Sequence, residues 1–263
     1  MHFTHIESPL INAQNVREIE EYPLPDLDAP YRWQGKKNEV LALQNQGFAV
    51  GIGVNHIFET SWQIRGIEQF LSDLYLEYEM CEVLTERIFQ IRLGMMKQAA
   101  MTGADVIHVG DDVGTQNGMM FSPEIWRKLF KPRLKKLAGA AKNLNPEVLI
   151  WYHSDGNIYD IIPDLIEIGI DILNPVQPEC MDPYLLKSKY GQDLSFWGIL
   201  GTQQLLPFGT PQQIRDEIRR LIDIAGKNGG LLLAPTHVLE PEVPLENIAA
   251  VIKTIEEYGV YKK

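Results

Sequence analysis

The sequence predicts an α/β fold of the TIM-type (β/α)8 barrel class, because short apolar runs typical of buried parallel strands alternate with segments of helical periodicity. Three of these runs are directly followed by a histidine, namely His56, His153 and His237. A fourth run precedes the carboxylate pair Asp111-Asp112. In such barrels the residues just beyond the C-terminal ends of the strands line the active site. We therefore expect imidazole and carboxylate groups to meet at one rim.

The strand prediction rests on six apolar runs. They cover residues 48–54, 105–110, 148–153, 170–174, 194–199 and 230–235. A closed barrel of this class has eight strands, so three alternatives stay open. Two strands lack a clear signature, the barrel is incomplete at its N-terminus, or a partner chain completes it. Residues 1–263 are interpreted as a single barrel domain.

Helices are predicted between the strands from their start signals and apolar stripes. A capping side chain precedes proline at three helix starts: Ser122, Asp182 and Thr210. Segments 122–142 and 157–168 each carry an apolar stripe that suits packing on a sheet, and Gly169 is expected to end the second. The stretch 59–102 is expected to hold two helices.

The N-terminal part of the chain has a different pattern. Residues 22–30 are spaced by prolines, which exclude regular helix and central strand there. Residues 1–40 are therefore interpreted as an extended segment crossing the outside of the fold. Residues 1–5 do not begin a basic-then-apolar leader, so no secretory signal is expected.

Composition narrows the classes of partner. The formal net charge of −11 argues against nucleic acid, since phosphate binding needs clustered basic residues. No apolar run reaches the roughly 20 residues of a membrane helix. The two cysteines, Cys81 and Cys180, lie far apart without metal-type spacing, which favours free thiols in a reducing cytoplasm.

The clearest candidate site is His153-Ser154-Asp155-Gly156. Strand alternation places the two ligand types, His153 and Asp155, on the same side, and His237 from another strand end is the natural third metal ligand. The alternative is that His153 only closes a barrel strand through hydrogen bonds.

A second candidate site is the pair Asp111-Asp112. Adjacent carboxylates repel, so one of them can keep its proton near neutral pH and act as a general acid. Alternatively, one aspartate caps the following turn and the other is solvated. Four polar side chains on the rim loops are assigned to substrate binding: His56, Gln116, Gln203 and Glu240.

Several segments together resemble the uroporphyrinogen decarboxylase superfamily, in the right order over nearly the whole chain. They are residues 110–118 with 122–124, 152–156, 172–178, 201–203 with 207–211, and 233–237. The resemblance implies a (β/α)8 barrel with its site at the C-terminal rim. It also implies one of two activities. The superfamily holds decarboxylases of porphyrinogens that need no cofactor, and zinc methyltransferases that work with corrinoid proteins or coenzyme M.

Two departures from the family patterns separate these activities. Asp155 stands where the methyltransferase motif His-x-Cys-Gly has its cysteine, and His237 lies near the position of a later cysteine. By this resemblance His153, Asp155 and His237 would hold Zn²⁺. The arginine-bearing segment that true decarboxylases carry is not found upstream of residues 48–54.

Three hypotheses follow for the function. The first is a zinc methyltransferase with a small-molecule substrate and a corrinoid carried by a partner protein. The second is a cofactor-free decarboxylase acting on a porphyrinogen or a smaller carboxylate. The third is a non-catalytic binding member of the family. A homodimer is a further expectation.

Overall fold

The structure, a computed structural model, describes residues 6–260, so the expectation about a leader at residues 1–5 lies outside it. All six predicted strands are confirmed: β1 Gly51–Asn55, β2 Val106–Gly110, β3 Leu149–His153, β4 Ile172–Asn174, β5 Ser195–Leu200 and β6 Leu231–Pro235. They form one sheet in the order β1-β2-β3-β4-β5-β6. The pairs β1–β2, β4–β5 and β5–β6 are parallel. Strand order following chain order confirms the TIM-type α/β class. The sheet of these six strands is open within residues 6–260.

Helices alternate with the strands along the chain. In chain order they are α1 Val16–Glu21, α2 Pro30–Trp33, α3 Lys36–Gln44, α4 Phe58–Arg65, α5 Ile67–Leu76, α6 Tyr78–Met101, α7 Pro123–Leu129, α8 Lys131–Leu144, α9 Ile162–Glu167, α10 Pro183–Tyr190, α11 Leu205–Phe208, α12 Pro211–Ile224 and α13 Leu245–Tyr258. In the part of the chain that the structure describes, no helix has the length and apolar character that crossing a bilayer requires.

The three predicted helix caps are confirmed. Ser122 Oγ accepts from the N–H of Ile125 at 3.3 Å, and Asp182 Oδ1 accepts from the N–H of Tyr184 at 2.8 Å. Thr210 and Gln213 form a reciprocal capping box at the start of α12. Gly169 ends α9 with φ +92°, as predicted.

Three predicted helical segments are divided differently from the expectation. Residues 59–102 hold three helices, because Gly66 at φ +89° separates α4 from α5 and Glu77 separates α5 from α6. Segment 122–142 breaks at Phe130, two residues before Pro132, which occupies the first turn of α8. Segment 157–168 begins with a 3₁₀ turn at Tyr159–Ile161 before α9.

The interpretation of residues 1–40 as extended throughout is wrong for the described residues, since α1, α2 and the start of α3 lie there. Residues 22–29 between α1 and α2 are without helix or strand, as their prolines dictate. The Arg87 guanidinium ties this region to α6 through the carbonyls of Ile19 and Tyr22.

Internal contacts divide the chain into two compact units, and the interpretation of residues 1–263 as one domain stays a prediction. Unit 1 comprises the chain up to Asp112 with Phe121–Trp151 and Pro163–Ile170; unit 2 comprises Val113–Met120, Tyr152–Ile162 and the chain from Asp171.

Unit 1 builds its core where α4 begins. The Phe58 ring packs against those of Phe70, Phe121 and Phe130, with centroid distances of 5.8, 5.1 and 5.8 Å. These rings fix the first turn of α4 and with it the two residues His56 and Glu59 on either side.

Unit 2 is built on β4, β5 and β6. Residues Phe196–Leu200 of β5 pair in register with Leu231–Pro235 of β6. The amphipathic helix α12 buries Ile214, Ile218 and Leu221. At the strand ends, the hydroxyls of Thr202 and Thr236 lie 3.2 Å apart, with Thr236 buried. The loops that follow these strands are thereby joined.

Candidate functional site

In unit 2, His153 at the end of β3 is held by a chain of two hydrogen bonds. Its Nδ1 lies 2.6 Å from Asn174 Oδ1, and Asn174 Nδ2 lies 2.6 Å from the carbonyl oxygen of Trp197. A carbonyl oxygen can only accept, so the amide NH₂ of Asn174 faces Trp197 and its oxygen faces His153. The His153 Nδ1 therefore carries the hydrogen. In this tautomer Nε2 carries the lone pair through which an imidazole binds a metal ion.

Asp155 lies in the turn that follows His153, and close backbone contacts fix this turn. A Cβ built on Gly114 would lie 2.6 Å from the carbonyl oxygen of Asp155, and one built on Gly156 would lie 2.6 Å from the Gly114 carbonyl carbon. Gly156 also has φ +78° and donates its N–H to Gln177 Oε1 at 2.6 Å. The sequence requires glycine at both positions, and the turn carries Asp155 on a rigid support.

Two further residues that the sequence assigned to the site, His237 and Glu240, come after β6. His237 is exposed and Glu240 is half-buried, both in the loop that leads to α13. His237 does not form, with His153 and Asp155, a group of three ligand atoms within 4.8 Å of one another among the described residues. The assignment of His237 as a third ligand stays a prediction, as does that of Glu240 as a substrate contact.

The structure brings two predicted substrate residues together. Gln116 Nε2 donates to Gln203 Oε1 at 2.7 Å. Cys180 joins them, with its Sγ 2.6 Å from Gln116 Oε1 and 3.6 Å from Gln177 Oε1. Partial burial, followed by the charges of Glu179 and Asp155, raises the pKa of Cys180. This thiol therefore keeps its hydrogen and serves as a donor to the amide oxygens.

Unit 1 holds a separate cluster of His56, Glu59 and Asp111. Each offers one ligand atom, and the three atoms lie within 4.8 Å of one another. His56 Nδ1 lies 2.8 Å from Glu59 Oε1 and 2.8 Å from the carbonyl oxygen of Gly110. Burial lowers the pKa of His56, but the hydrogen bond and charge of Glu59, then the charge of Asp111, outweigh it and raise the pKa overall.

Asp111 is fully buried at the start of α4, while its neighbour Asp112 is half-buried. Its Oδ1 accepts from the N–H of Glu59 at 3.1 Å, at a helix end that otherwise has no side-chain cap. Burial raises the pKa of Asp111 to about 7, against the opposing influence of His56 and the α4 N–H groups. Asp111 thus caps α4 rather than the turn that follows it, and burial, not repulsion by Asp112, raises its pKa. The role of the pair as a general acid stays a prediction.

Arg92 completes the surroundings of the unit 1 cluster from α6. It is buried and donates to the carbonyl of His56 at 3.0 Å, to Thr60 Oγ1 at 2.9 Å and to Met95 Sδ at 3.4 Å. Burial lowers the pKa of Arg92, opposed by the charge of Asp111. These three partners are neutral, and the guanidinium acts on Asp111 through its charge.

Three residues of these two clusters were not assigned to a site from the sequence. Glu59 stands three residues after His56, a spacing that places both on one side of a helix start, and this signal could have found it. Asn174 had a weaker signal as a polar residue closing an apolar strand. Arg92 lies within a long helix, and nothing in the sequence distinguishes it from an exposed cation.

A parallel α/β sheet with histidine and carboxylate groups at its strand ends defines the class of TIM-barrel-type proteins whose sites lie at the C-terminal rim. The profile of the uroporphyrinogen decarboxylase (URO-D) family matches residues 55–258, and the chain belongs to this family. The resemblance stated from the sequence is thereby confirmed.

Two kinds of relative are found. The chain is 28% identical over 156 residues to the methylcobamide:CoM methyltransferase MtaA of Methanosarcina barkeri, covering 59% of this chain and 42% of the relative. It is 21% identical over 265 residues to the uroporphyrinogen decarboxylase of Coxiella burnetii, covering 97% of this chain and 70% of the relative. A solved methyltransferase from Methanosarcina mazei shares the fold, with a TM-score of 0.69, 20% identity, and coverage of 92% of this chain and 69% of that one. Against the methyltransferase relatives the chain spans about half of their length, 42% and 51%.

Proposed function

We propose that the protein is a metal-dependent methyltransferase that moves a methyl group between a corrinoid, carried by a partner protein, and a small acceptor. The observation that carries this proposal is the orientation of His153 by Asn174. Methylcobamide and CoM stand in the name of the Methanosarcina barkeri relative, which supports this substrate class. A homodimer and a cytoplasmic location stay expectations.

The metal would be Zn²⁺, held by His153 Nε2 and the Asp155 carboxylate, with His237 as the proposed third ligand. The donor chemistry at His153 fits, since a ring whose Nδ1 hydrogen is fixed by a second residue is the usual state of a zinc-bound imidazole. When bound, Zn²⁺ supplies a Lewis acid that polarises the heteroatom to which the methyl group is attached or transferred. A carboxylate in place of a thiolate favours oxygen over sulfur as that atom.

The other residues of the chain would position the substrate and hold a proton. Gln116 and Gln203 present paired amides at one place, where they can orient a polar substrate group. Between the two aspartates, we assign proton transfer to Asp112, because it is half-buried whereas Asp111 is only 1% exposed and engaged with α4. His56 and Glu240 stay predicted substrate contacts.

The test is zinc content and methyl transfer in the same preparations. We expect about one zinc per chain in the protein purified without added metal, lost in His153→Ala and retained in the exposed-loop control Glu242→Gln. The wild-type protein and Glu242→Gln should transfer the methyl group of methylcobalamin to a small thiol or alcohol acceptor, and His153→Ala should not. Equal zinc content in all three would contradict the proposal.

A second candidate function is decarboxylation without a cofactor. It is favoured by the alignment to the Coxiella burnetii decarboxylase, which covers nearly the whole chain. This function predicts carbon dioxide release from a porphyrinogen in the presence of a chelator. The proposed methyl transfer would stop under the same conditions, so one chelator experiment separates the two.

A further inference from the structure

We propose that His56, Glu59 and Asp111 form a second metal site in unit 1, which takes a hard divalent cation of the Mn²⁺ type. This site shares no ligand with the zinc site of the proposed function. Four features of the cluster support it: the convergence of electron-pair donors, a buried carboxylate oxygen, the local charge and the access to solvent.

The first observation is that several lone pairs converge on one ring nitrogen. The Gly110 carbonyl oxygen and Glu59 Oε1 both lie 2.8 Å from His56 Nδ1, and a ligand atom of Asp111 belongs to the same group within 4.8 Å. A single Nδ1 hydrogen has to be shared between the two nearer oxygens and cannot serve the third residue. A metal ion in place of that hydrogen would be bound by the ring nitrogen and the oxygens together.

The second observation concerns Asp111 Oδ2. This oxygen is buried and has no hydrogen-bond partner among residues 6–260, while Oδ1 is engaged by the N–H of Glu59. A buried polar atom without a partner destabilises the folded protein, and a charged one does so more strongly. Ligation of a cation would satisfy this oxygen.

The charge of the surroundings suits a divalent ion. Glu59 and Asp111 supply two carboxylates, and the buried Arg92 supplies one positive charge nearby. The two carboxylates balance the two charges of a divalent ion, and Arg92 leaves the occupied cluster with one net positive charge when His56 is neutral. The donors are mainly oxygen with a single imidazole, a set that suits Mn²⁺ better than the softer Zn²⁺ or Cu²⁺.

The site can be reached by an ion from solvent. The side chains of His56 and Glu59 keep 31% and 19% of their surface exposed, and Asp111 lies behind them. His56 and Glu59 are therefore the two solvent-accessible ligands, and Asp111 is the buried one.

The experiment measures Mn²⁺ binding to the chelator-treated full-length chain, by calorimetric titration and by loss of the free Mn²⁺ electron paramagnetic resonance signal. His153→Ala is the starting protein, because it lacks the proposed zinc site. We expect one Mn²⁺ per chain in His153→Ala. Adding Asp111→Asn should weaken Mn²⁺ binding by more than about 100-fold. Loss of a residue that only supports a metal ligand already lowers metal affinity by about 10–100-fold, and Asp111 is proposed as a ligand itself. Glu124→Gln, which changes an exposed carboxylate in α7 of the same unit, is the matched control and should bind like the starting protein.

Glu59→Gln is the second variant, in case Asp111→Asn disturbs the cap of α4, and it should show the same loss while keeping the circular dichroism spectrum. Absence of Mn²⁺ binding in His153→Ala, or unchanged affinity in Glu59→Gln, would overturn the inference. The proposed function is tested separately, by the zinc content of the wild-type protein. The wild-type protein can lack zinc while His153→Ala still binds Mn²⁺, so the two proposals can fail independently.

Discussion

Asn174 at the end of β4 holds the imidazole of His153 at the end of the neighbouring strand β3, with 2.6 Å between Oδ1 and Nδ1. The Trp197 carbonyl on β5 fixes the amide in turn. Three successive strands thus determine one ring orientation, although only His153 would touch the metal.

The first prediction concerns this support. Asn174→Ala removes the acceptor for the Nδ1 hydrogen, so the ring loses its orientation and zinc affinity should fall by about 10–100-fold. A competitive titration with a chromophoric chelator measures the change. Asn143→Ala, at an exposed position of α8, is the control and should leave the affinity unchanged. Full affinity in Asn174→Ala would show that the hydrogen bond does not orient a ligand.

The second prediction concerns the buried ion pair of unit 1. Arg65 Nε lies 2.7 Å from Asp73 Oδ2, with side-chain exposures of 4% and 2%. Asp73→Asn leaves the guanidinium without its counter-charge, so the free energy of unfolding should fall by about 3–5 kcal/mol. Urea denaturation followed by circular dichroism measures this loss.

The control for that experiment is the exposed pair Arg17–Glu21, with side-chain exposures of 80% and 62%. Glu21→Gln should leave the urea midpoint where it is, because solvent screens the pair. A loss of the same size in both variants would mean that burial is not the cause.

The third prediction compares two glycines of one loop. A Cβ on Gly114 would lie 2.6 Å from the carbonyl oxygen of Asp155, whereas a Cβ on Gly118 meets nothing within 4 Å. Gly114→Ala should therefore destabilise the protein by about 1–3 kcal/mol and weaken zinc binding by displacing Asp155. Gly118→Ala should stay within about 0.5 kcal/mol of the wild type. Thermal denaturation and a zinc titration check both, and equal behaviour of the two variants would contradict the close contact.

The fourth prediction concerns thiol reactivity. Both cysteines are free, Cys81 buried and Cys180 half-exposed. Burial raises the pKa of Cys81, so it should react with iodoacetamide only in denaturant. Cys180 should react in the folded protein, faster as pH rises, because the thiolate is the nucleophile and its pKa lies above the ordinary value.

A variant tests the cause of the raised Cys180 pKa. Glu179→Gln removes one of the charges that disfavour the thiolate, so labelling at pH 8 should accelerate by up to about tenfold, the effect of one pKa unit. Glu242→Gln, elsewhere in unit 2, should label at the wild-type rate. Mass spectrometry of timed aliquots gives the rates, and a slower Glu179→Gln would refute the electrostatic account.

The strands could be placed from the sequence because each contains a short apolar run, which is a local signal and does not depend on residues distant in the chain. The break at Phe130 could not, since the apolar stripe of Leu129, Phe130 and Leu134 continues through it and only Pro132 marks the new helix. Helix α1 has one clear local signal, Asn15, which caps it by accepting from the N–H of Glu18. It is only six residues long and prolines follow it closely, so its apolar pattern is too short to predict a helix.

The sequence could predict only those candidate site residues that stand at or just after the end of a strand. His153, Asp155 and Asp111 were found because they stand directly after apolar runs. The role of Asn174 depends on its neighbour across the sheet, and the burial of Asp111, which Asp112 does not share, comes with its contact to the start of α4. Such relationships join residues distant in sequence, so only the folded chain reveals them.

The backbones of Gly114 and Gly156 lie in close contact, so the loop after β2 and the turn after β3 are expected to move together. A substrate that orders Gln116 would at the same time restrict the motion of Asp155, so the entropy of ordering both is lost only once. The first ligand to arrive would then prepare the place of the second, and amide exchange in the two segments should slow together when either one binds.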